Sequence, residues 1–239
     1  MTYPPLTESE YEAQGRRFTG FLADGSGGAG AAGVLVLHEG AGLNAPIREK
    51  TRRLAGELGA VAYAPDLFGG GAFEFERFKA IVRELREDVA TLRERTRAAL
   101  AVLERHPAVD ARRLAAVGFC FGGTAAIELA RDGAPLAAVV GFHAGLTAAP
   151  SAADNCAIAC PILLCLGADD PVVTEAQRDA FAAEMSEAGV DWQIHLMGGV
   201  GHSFTNPEID GWNLPGFRYD ARAEARSWAA MKRLFDEKL

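Results

Sequence analysis

Apolar and polar positions alternate along the chain in two registers. Short, nearly unbroken apolar runs recur at VLVLHE (34–39), VAYAPDLF (61–68), RRLAAVGFC (112–120), LAAVVGFHA (136–144) and PILLCLGADD (161–170). Such runs predict strands covered on both faces. Arg17–Leu22 predicts a further short strand, and DWQIHLMGG (191–199) alternates as a half-buried strand does. Longer stretches of helical spacing lie between. NAPIREKTRRLAGELG (44–59) predicts a helix with Asn44 as N-cap, Pro46 in the first turn and Gly59 at its C-terminal cap. A charged stretch over roughly 74–106 predicts a long helix whose Arg and Glu residues pair at i,i+4 on a solvated face. Helices are also predicted at 123–133, 174–189 and 219–239, the last with Trp228, Met231 and Phe235 on one core-facing stripe. Residues 1–15 read as an irregular arm, 23–33 as a Gly-rich hairpin loop, and Gly69–Gly71 as a loop closing a strand.

Strands alternating with helices predict an α/β fold: a single, mainly parallel, twisted sheet with helices on both faces, forming one domain over residues 1–239. The glycines at 23–33 do not make a phosphate loop, because no Lys-Ser/Thr ends them and they precede a strand. In such sheets functional groups gather beyond the carboxyl ends of the strands.

Composition narrows the function classes. The chain has 239 residues, 49% of them hydrophobic, and a net charge of −8. That describes an ordinary soluble protein and gives no expectation of nucleic-acid or anionic-membrane partners. No apolar stretch approaches transmembrane length, and TYPPLTESEYEAQ has neither the basic nor the apolar region of a signal peptide, so a cytoplasmic setting is expected. Cys156, Cys160 and Cys165 stand in a C-x3-C-x4-C order that matches no common zinc spacing, and Cys165 reads as a core residue.

The strand ends carry the chemistry: Glu39, Asp66, Cys120, His143, the Asp169–Asp170 pair, and His202 after GGVG. Asp66 is expected to bond backbone. In AVGFCFGGTAA (116–126), Cys120 lies where a strand turns into a helix, with Gly118 and Gly122 two residues to either side. A nucleophile elbow needs small residues there, and the helix N-terminus favours a thiolate. The competing reading is a small buried thiol in a Gly-rich crossing; the order strand, turn, helix favours the nucleophile. His202 in a Gly-rich loop suits a general base, more than His106 beside Pro107 or His195 in mid-strand. A carboxylate from GADDPVV would orient the imidazole; counting from Gly167 selects Asp170, with Asp169 as runner-up.

The order nucleophile, acid, histidine is that of α/β-hydrolases. HEGAGLNAPIRE (38–49), YAPDLF (63–68), GFCFGG (118–123), GADDPVV (167–173) and GHSF (201–204) together resemble the dienelactone hydrolase family, in order and over nearly the whole chain. The resemblance implies an α/β-hydrolase with a Cys nucleophile that cleaves a small ester or lactone through an acyl-thioester, and it implies no metal or organic cofactor. It implies that Glu39 takes part in activating the thiol, and that the N–H groups of Phe121 and Gly40 form an oxyanion hole. Family members carry an Arg shortly after the catalytic His that helps hold a substrate carboxylate. Asn206 stands there in this chain, which implies a neutral or differently held ester, lactone or thioester. His143, Asn206, Trp212, Phe217 and Tyr219 are candidate pocket walls. The alternatives are a non-catalytic ligand-binding relative and a redox-sensing thiol, with Cys156 or Cys160 as the resolving partner.

Overall fold

The computed structural model describes residues 2–70 and 75–239. Gly71 of the expected loop and Glu74 at the start of the expected long helix lie outside them. In chain order the elements are β1 (Leu6–Ala13), β2 (Arg16–Asp24), β3 (Ala31–Leu37), α1 (Ala45–Leu58), β4 (Val61–Pro65), α2 (Phe75–Glu87), α3 (Val89–Glu104), β5 (Val109–Phe119), α4 (Phe121–Arg131), β6 (Ala138–Phe142), α5 (Ala152–Cys156), β7 (Ile162–Gly167), α6 (Glu175–Glu187), β8 (Trp192–Met197) and α7 (Ala221–Lys238). A short 3-10 turn spans Ile209–Trp212.

All eight strands form one sheet in the order β1-β2-β4-β3-β5-β6-β7-β8. β2 runs antiparallel to both of its neighbours, β1 and β4, and the remaining pairs are parallel. The mainly parallel sheet expected from the apolar runs is therefore present. Side-chain alternation along the strands divides the core in two. Val34, Val36, Val117 and Val140 meet Ile47 and Leu54 of α1 and Trp228, Met231 and Phe235 of α7. Leu35, Leu37, Ala116 and Val139 meet residues of α3, α4 and α6 on the opposite face. Each fully buried aliphatic or aromatic side chain contributes about 1.5–3 kcal/mol.

Local chemistry sets the helix ends. Asn44 accepts the Ile47 N–H, Pro46 occupies the first turn of α1, and Gly59 closes it at φ 59°. The expected long charged helix is two helices: Asp88 leaves helical geometry and its side chain accepts the Thr91 N–H, which ends α2 and caps α3. The expected irregular arm contains β1. Of its residues only Tyr11 and Ala13 are buried, so its pattern carries little strand signal. Tyr11 anchors it, stacking on Phe18 at 5.2 Å and donating to the Asp66 carbonyl at 3.1 Å.

α4 is buried along its whole length at the centre of the sheet. Its end is tied by a buried ion pair between Arg131 and Glu128 at 2.7 Å, and Glu128 also receives Arg93 at 2.8 Å. The parallel strands β3, β5, β6 and β7 all deliver their carboxyl ends to one edge, where the expected site residues lie. No helix among the described residues is long and apolar enough to cross a membrane.

Candidate active site

Cys120 sits between the last residue of β5 and the first of α4, at φ 50° and ψ −113°. A non-glycine residue in this region stores backbone strain, which the surroundings hold in place. The Cys120 N–H donates to the Phe142 carbonyl, and the Cys120 carbonyl accepts from Gly123, Thr124 and Gly145. The turn also requires glycine on either side. A Cβ on Gly118 would lie 2.0 Å from the Gly122 carbonyl oxygen, and one on Gly122 would lie 2.1 Å from that of Leu37. The half-buried thiol thus stands at the N-terminus of α4, where unpaired N–H groups favour negative charge.

Nε2 of His202 is 3.1 Å from the Cys120 sulfur, and its Nδ1 is 2.7 Å from Oδ2 of Asp170. His202 lies in the loop after β8, which the segment around Phe217 closes: the His202 N–H donates to the Gly216 carbonyl, and the Arg218 N–H donates to that of His202. Burial opposes a charge on this ring, yet the Cys120 charge and the hydrogen bonds to Asp170 and Cys120 prevail and push its pKa up to about 10. Asp170 is buried, whereas Asp169 is exposed. Of the two candidate acids, Asp170 is the one brought to the ring.

Glu39 follows β3 by two residues and is buried. Its Oε2 lies 3.4 Å from the Ser203 hydroxyl and 3.5 Å from Nδ2 of Asn206; its Oε1 is buried with no partner among the described residues. Burial raises the Glu39 pKa, and the charges of Lys50 and His202 pull against it. Lys50, from α1, is itself buried, with Nζ 5.1 Å from the centre of the Phe119 ring.

A cavity of about 520 Å³ opens over these groups. Glu39, Gly40, Cys120, Phe121 and His202 line it. So do three of the expected wall residues, Asn206, Trp212 and Phe217. His143 does not. It follows β6 directly and is fully buried behind His202, at φ 39°, with its ring 5.2 Å from that of His202 and Nε2 2.9 Å from the Thr205 hydroxyl. It packs against Phe204 as well, and neither residue lines the cavity. Tyr219 also lies off the cavity wall, its hydroxyl donating to Glu224 at 2.8 Å.

Sequence reasoning overlooked two groups of the site. Ser203 and Thr205 flank Phe204 and turn toward Glu39 and His143, respectively; the polar run HSFTN was their only signal. α2 lends the cavity Val82, Arg83 and Arg86. Arg86 lies over Gly145, where a Cβ would come 2.2 Å from its guanidinium, and its Nε is buried without a partner among the described residues. A charged helix gives no periodic sign of which cation turns inward.

Comparison with known proteins places the chain in a family. The model of the dienelactone hydrolase family matches residues 18–239. A solved structure described as a dienelactone hydrolase-like promiscuous phosphotriesterase, P91, from metagenomic libraries is 39% identical, with a TM-score of 0.93 and 99% of both chains covered. A structure named m3DLH is 44% identical, with a TM-score of 0.94 and all of both chains covered. A protein of Aquifex aeolicus assigned as a carboxymethylenebutenolidase is 28% identical over 92% of this chain and 93% of its own. The chain belongs to the dienelactone hydrolase family, has the α/β-hydrolase fold, and is with that family a hydrolase of ester or lactone bonds.

Proposed function

We propose that the protein hydrolyses small esters or lactones with Cys120 as nucleophile, through an acyl-thioester intermediate. The observation that carries this reading is the continuous line from thiol to imidazole to carboxylate, 3.1 Å and 2.7 Å, mounted on a strained elbow. The sulfur attacks the carbonyl carbon as His202 holds the thiol proton, forming the C–S bond and moving the carbonyl π electrons onto oxygen. The N–H groups of Phe121 and Gly40 receive that oxyanion. When the carbonyl re-forms, the C–O bond to the leaving group breaks and His202 Nε2–H protonates the departing alkoxide. Water, deprotonated by His202, then attacks the thioester; the C–S bond breaks and the carboxylic acid leaves. Asp170 keeps Nδ1 protonated and facing it throughout. Glu39, beside the thiol loop, sets the local charge that the thiol meets.

The cavity volume suits a small molecule. Asn206 occupies the position from which family members present an Arg, and Arg86 of α2 supplies a positive charge to the cavity from the other side. An anionic group on the substrate would therefore be held by α2 rather than by the loop after His202. A redox-sensing role is less well supported: burial pushes the Cys160 thiol up to about 11, which leaves it a poor partner for a sulfenic acid, and the exposed Cys156 does not line the cavity that holds Cys120. The test is steady-state hydrolysis of p-nitrophenyl acetate and of a small lactone by wild type and Cys120→Ala. The reading requires turnover in the first and only background in the second; equal rates would reject it.

A further inference from the structure

We propose that His38 is a positioning residue for the oxyanion hole, holding the peptide that presents the Gly40 N–H to the substrate oxygen. The inference rests on the acyl-transfer reading above. The Gly40 N–H belongs to the same planar unit as the Glu39 carbonyl, so fixing that oxygen fixes the direction of the N–H. The Glu39 oxygen lies 2.7 Å from Nδ1 of His38 and also accepts the Gly42 N–H at 3.0 Å. Among the described residues the Gly40 N–H has no protein acceptor, and Gly40 lines the cavity with Cys120 and Phe121.

The ring's protonation follows from its partners. The Leu67 N–H reaches Nε2 at 3.1 Å and can only donate, so Nε2 must accept. Nδ1 must then carry the hydrogen, and it donates to the Glu39 carbonyl, which can only accept. A doubly protonated ring would set Nε2–H against the Leu67 N–H. His38 is fully buried, and burial pulls its pKa down, in keeping with the neutral form.

The anchor on the far side is itself fixed. Asp66 Oδ1 accepts the N–H groups of Phe68 and Gly69, and Oδ2 that of Gly70, at 2.8–3.1 Å. The Phe68 ring meets the imidazole edge-on at 4.6 Å. The loop after β4 thus holds His38, His38 holds the Glu39 carbonyl, and the carbonyl sets the Gly40 N–H before substrate arrives. Two hydrogen bonds into the carbonyl also polarise the peptide and strengthen its N–H as a donor. Leu37, one residue earlier, fills its buried place with hydrocarbon. A histidine at 38 is explained by the hydrogen bond it makes.

The experiment compares His38→Leu, His38→Asn and His38→Gln in two reactions: hydrolysis of p-nitrophenyl acetate, and alkylation of Cys120 by iodoacetamide. Alkylation needs the thiolate but forms no oxyanion. Removing an oxyanion donor costs about 10²–10³ in rate, so loss of its support in His38→Leu should cost about 10–100-fold in kcat/KM, with alkylation within about twofold of wild type. Asn carries its N–H₂ near the place of Nδ1 and should retain more turnover than Gln, whose N–H₂ falls near Nε2. That ordering decides the matter if the Leu variant folds poorly. Wild-type turnover in His38→Leu, equal losses in both reactions, or Gln matching Asn would overturn the proposal. Turnover surviving in Cys120→Ala would instead reject the acyl-transfer reading itself.

Discussion

Asp170 divides its carboxylate between His202 and its own turn: Oδ2 lies 2.7 Å from Nδ1 of the ring, and Oδ1 accepts the N–H groups of Val172 and Val173 at 2.7 and 3.1 Å. One oxygen fixes the loop and the other faces the imidazole. Asp170→Asn can preserve the first contact while presenting an N–H₂ to Nδ1, which reverses the tautomer. We expect kcat/KM for p-nitrophenyl acetate to fall roughly 10²–10⁴-fold, and the exposed Asp169→Asn to stay within about twofold of wild type. The opposite ranking would move the acid to Asp169.

The His202 ring should titrate differently once its partner is gone. In the native protein its pKa is pushed up to about 10, against the depressing effect of burial. Cys120→Ala removes the sulfur's charge and its hydrogen bond but leaves burial in place, so the imidazole should lose its proton at lower pH. The raised value also links to stability. Protonated His202 favours the fold below the ordinary value of 6.5, and the contribution is lost as pH rises through about 10. NMR titration of the labelled imidazole measures both proteins; unchanged titration in Cys120→Ala would show that the thiol does not hold the ring's charge.

Glu39→Gln separates stability from activity. Burial raises the carboxyl pKa, so the native state prefers the protonated form, and stability falls as pH rises through the native value and leaves a charge in the core. Gln avoids that charge. Its Tm should match wild type below pH 4.5, the ordinary carboxyl value, and exceed it at pH 8. The gain should be about 2–4 °C per kcal/mol. Turnover should fall at least about tenfold if Glu39 helps activate the thiol. Thermal scans across pH alongside kinetics test both halves.

Arg86→Gln distinguishes the substrate classes. If its guanidinium holds an anionic group, KM for a carboxylate-bearing lactone should rise about tenfold or more while that for p-nitrophenyl acetate stays unchanged, as loss of one charge-assisted contact predicts. An equal effect on both substrates would make Arg86 a structural support of α2.

Much of this molecule was legible because the buried strands are nearly pure hydrocarbon and α1 is bounded by residues whose capping chemistry is specific, Asn44 and Gly59. The elbow was legible for a similar reason, since close packing admits only glycine at 118 and 122. β1 escaped because an edge strand with two buried residues has almost no pattern. The break at Asp88 was hidden in a run of charge, where an N-cap looks like any other acidic residue. His143 was misplaced because a strand-end residue can turn to either side of the edge, and only tertiary packing sends this one behind His202. His38 gave no sign of the role proposed for it, which depends on the Leu67 N–H arriving from the loop after β4.

The most direct measurement is the intact mass of the protein, quenched in acid within milliseconds to seconds of mixing with a p-nitrophenyl ester, for wild type and Cys120→Ala. An acyl-thioester on Cys120 predicts a wild-type species heavier by one acyl group, mapped by peptide fragmentation to the GFCFGG peptide and absent from the variant. Steady turnover by wild type with no adduct at any quench time, or an adduct that persists in Cys120→Ala, would contradict a cysteine nucleophile.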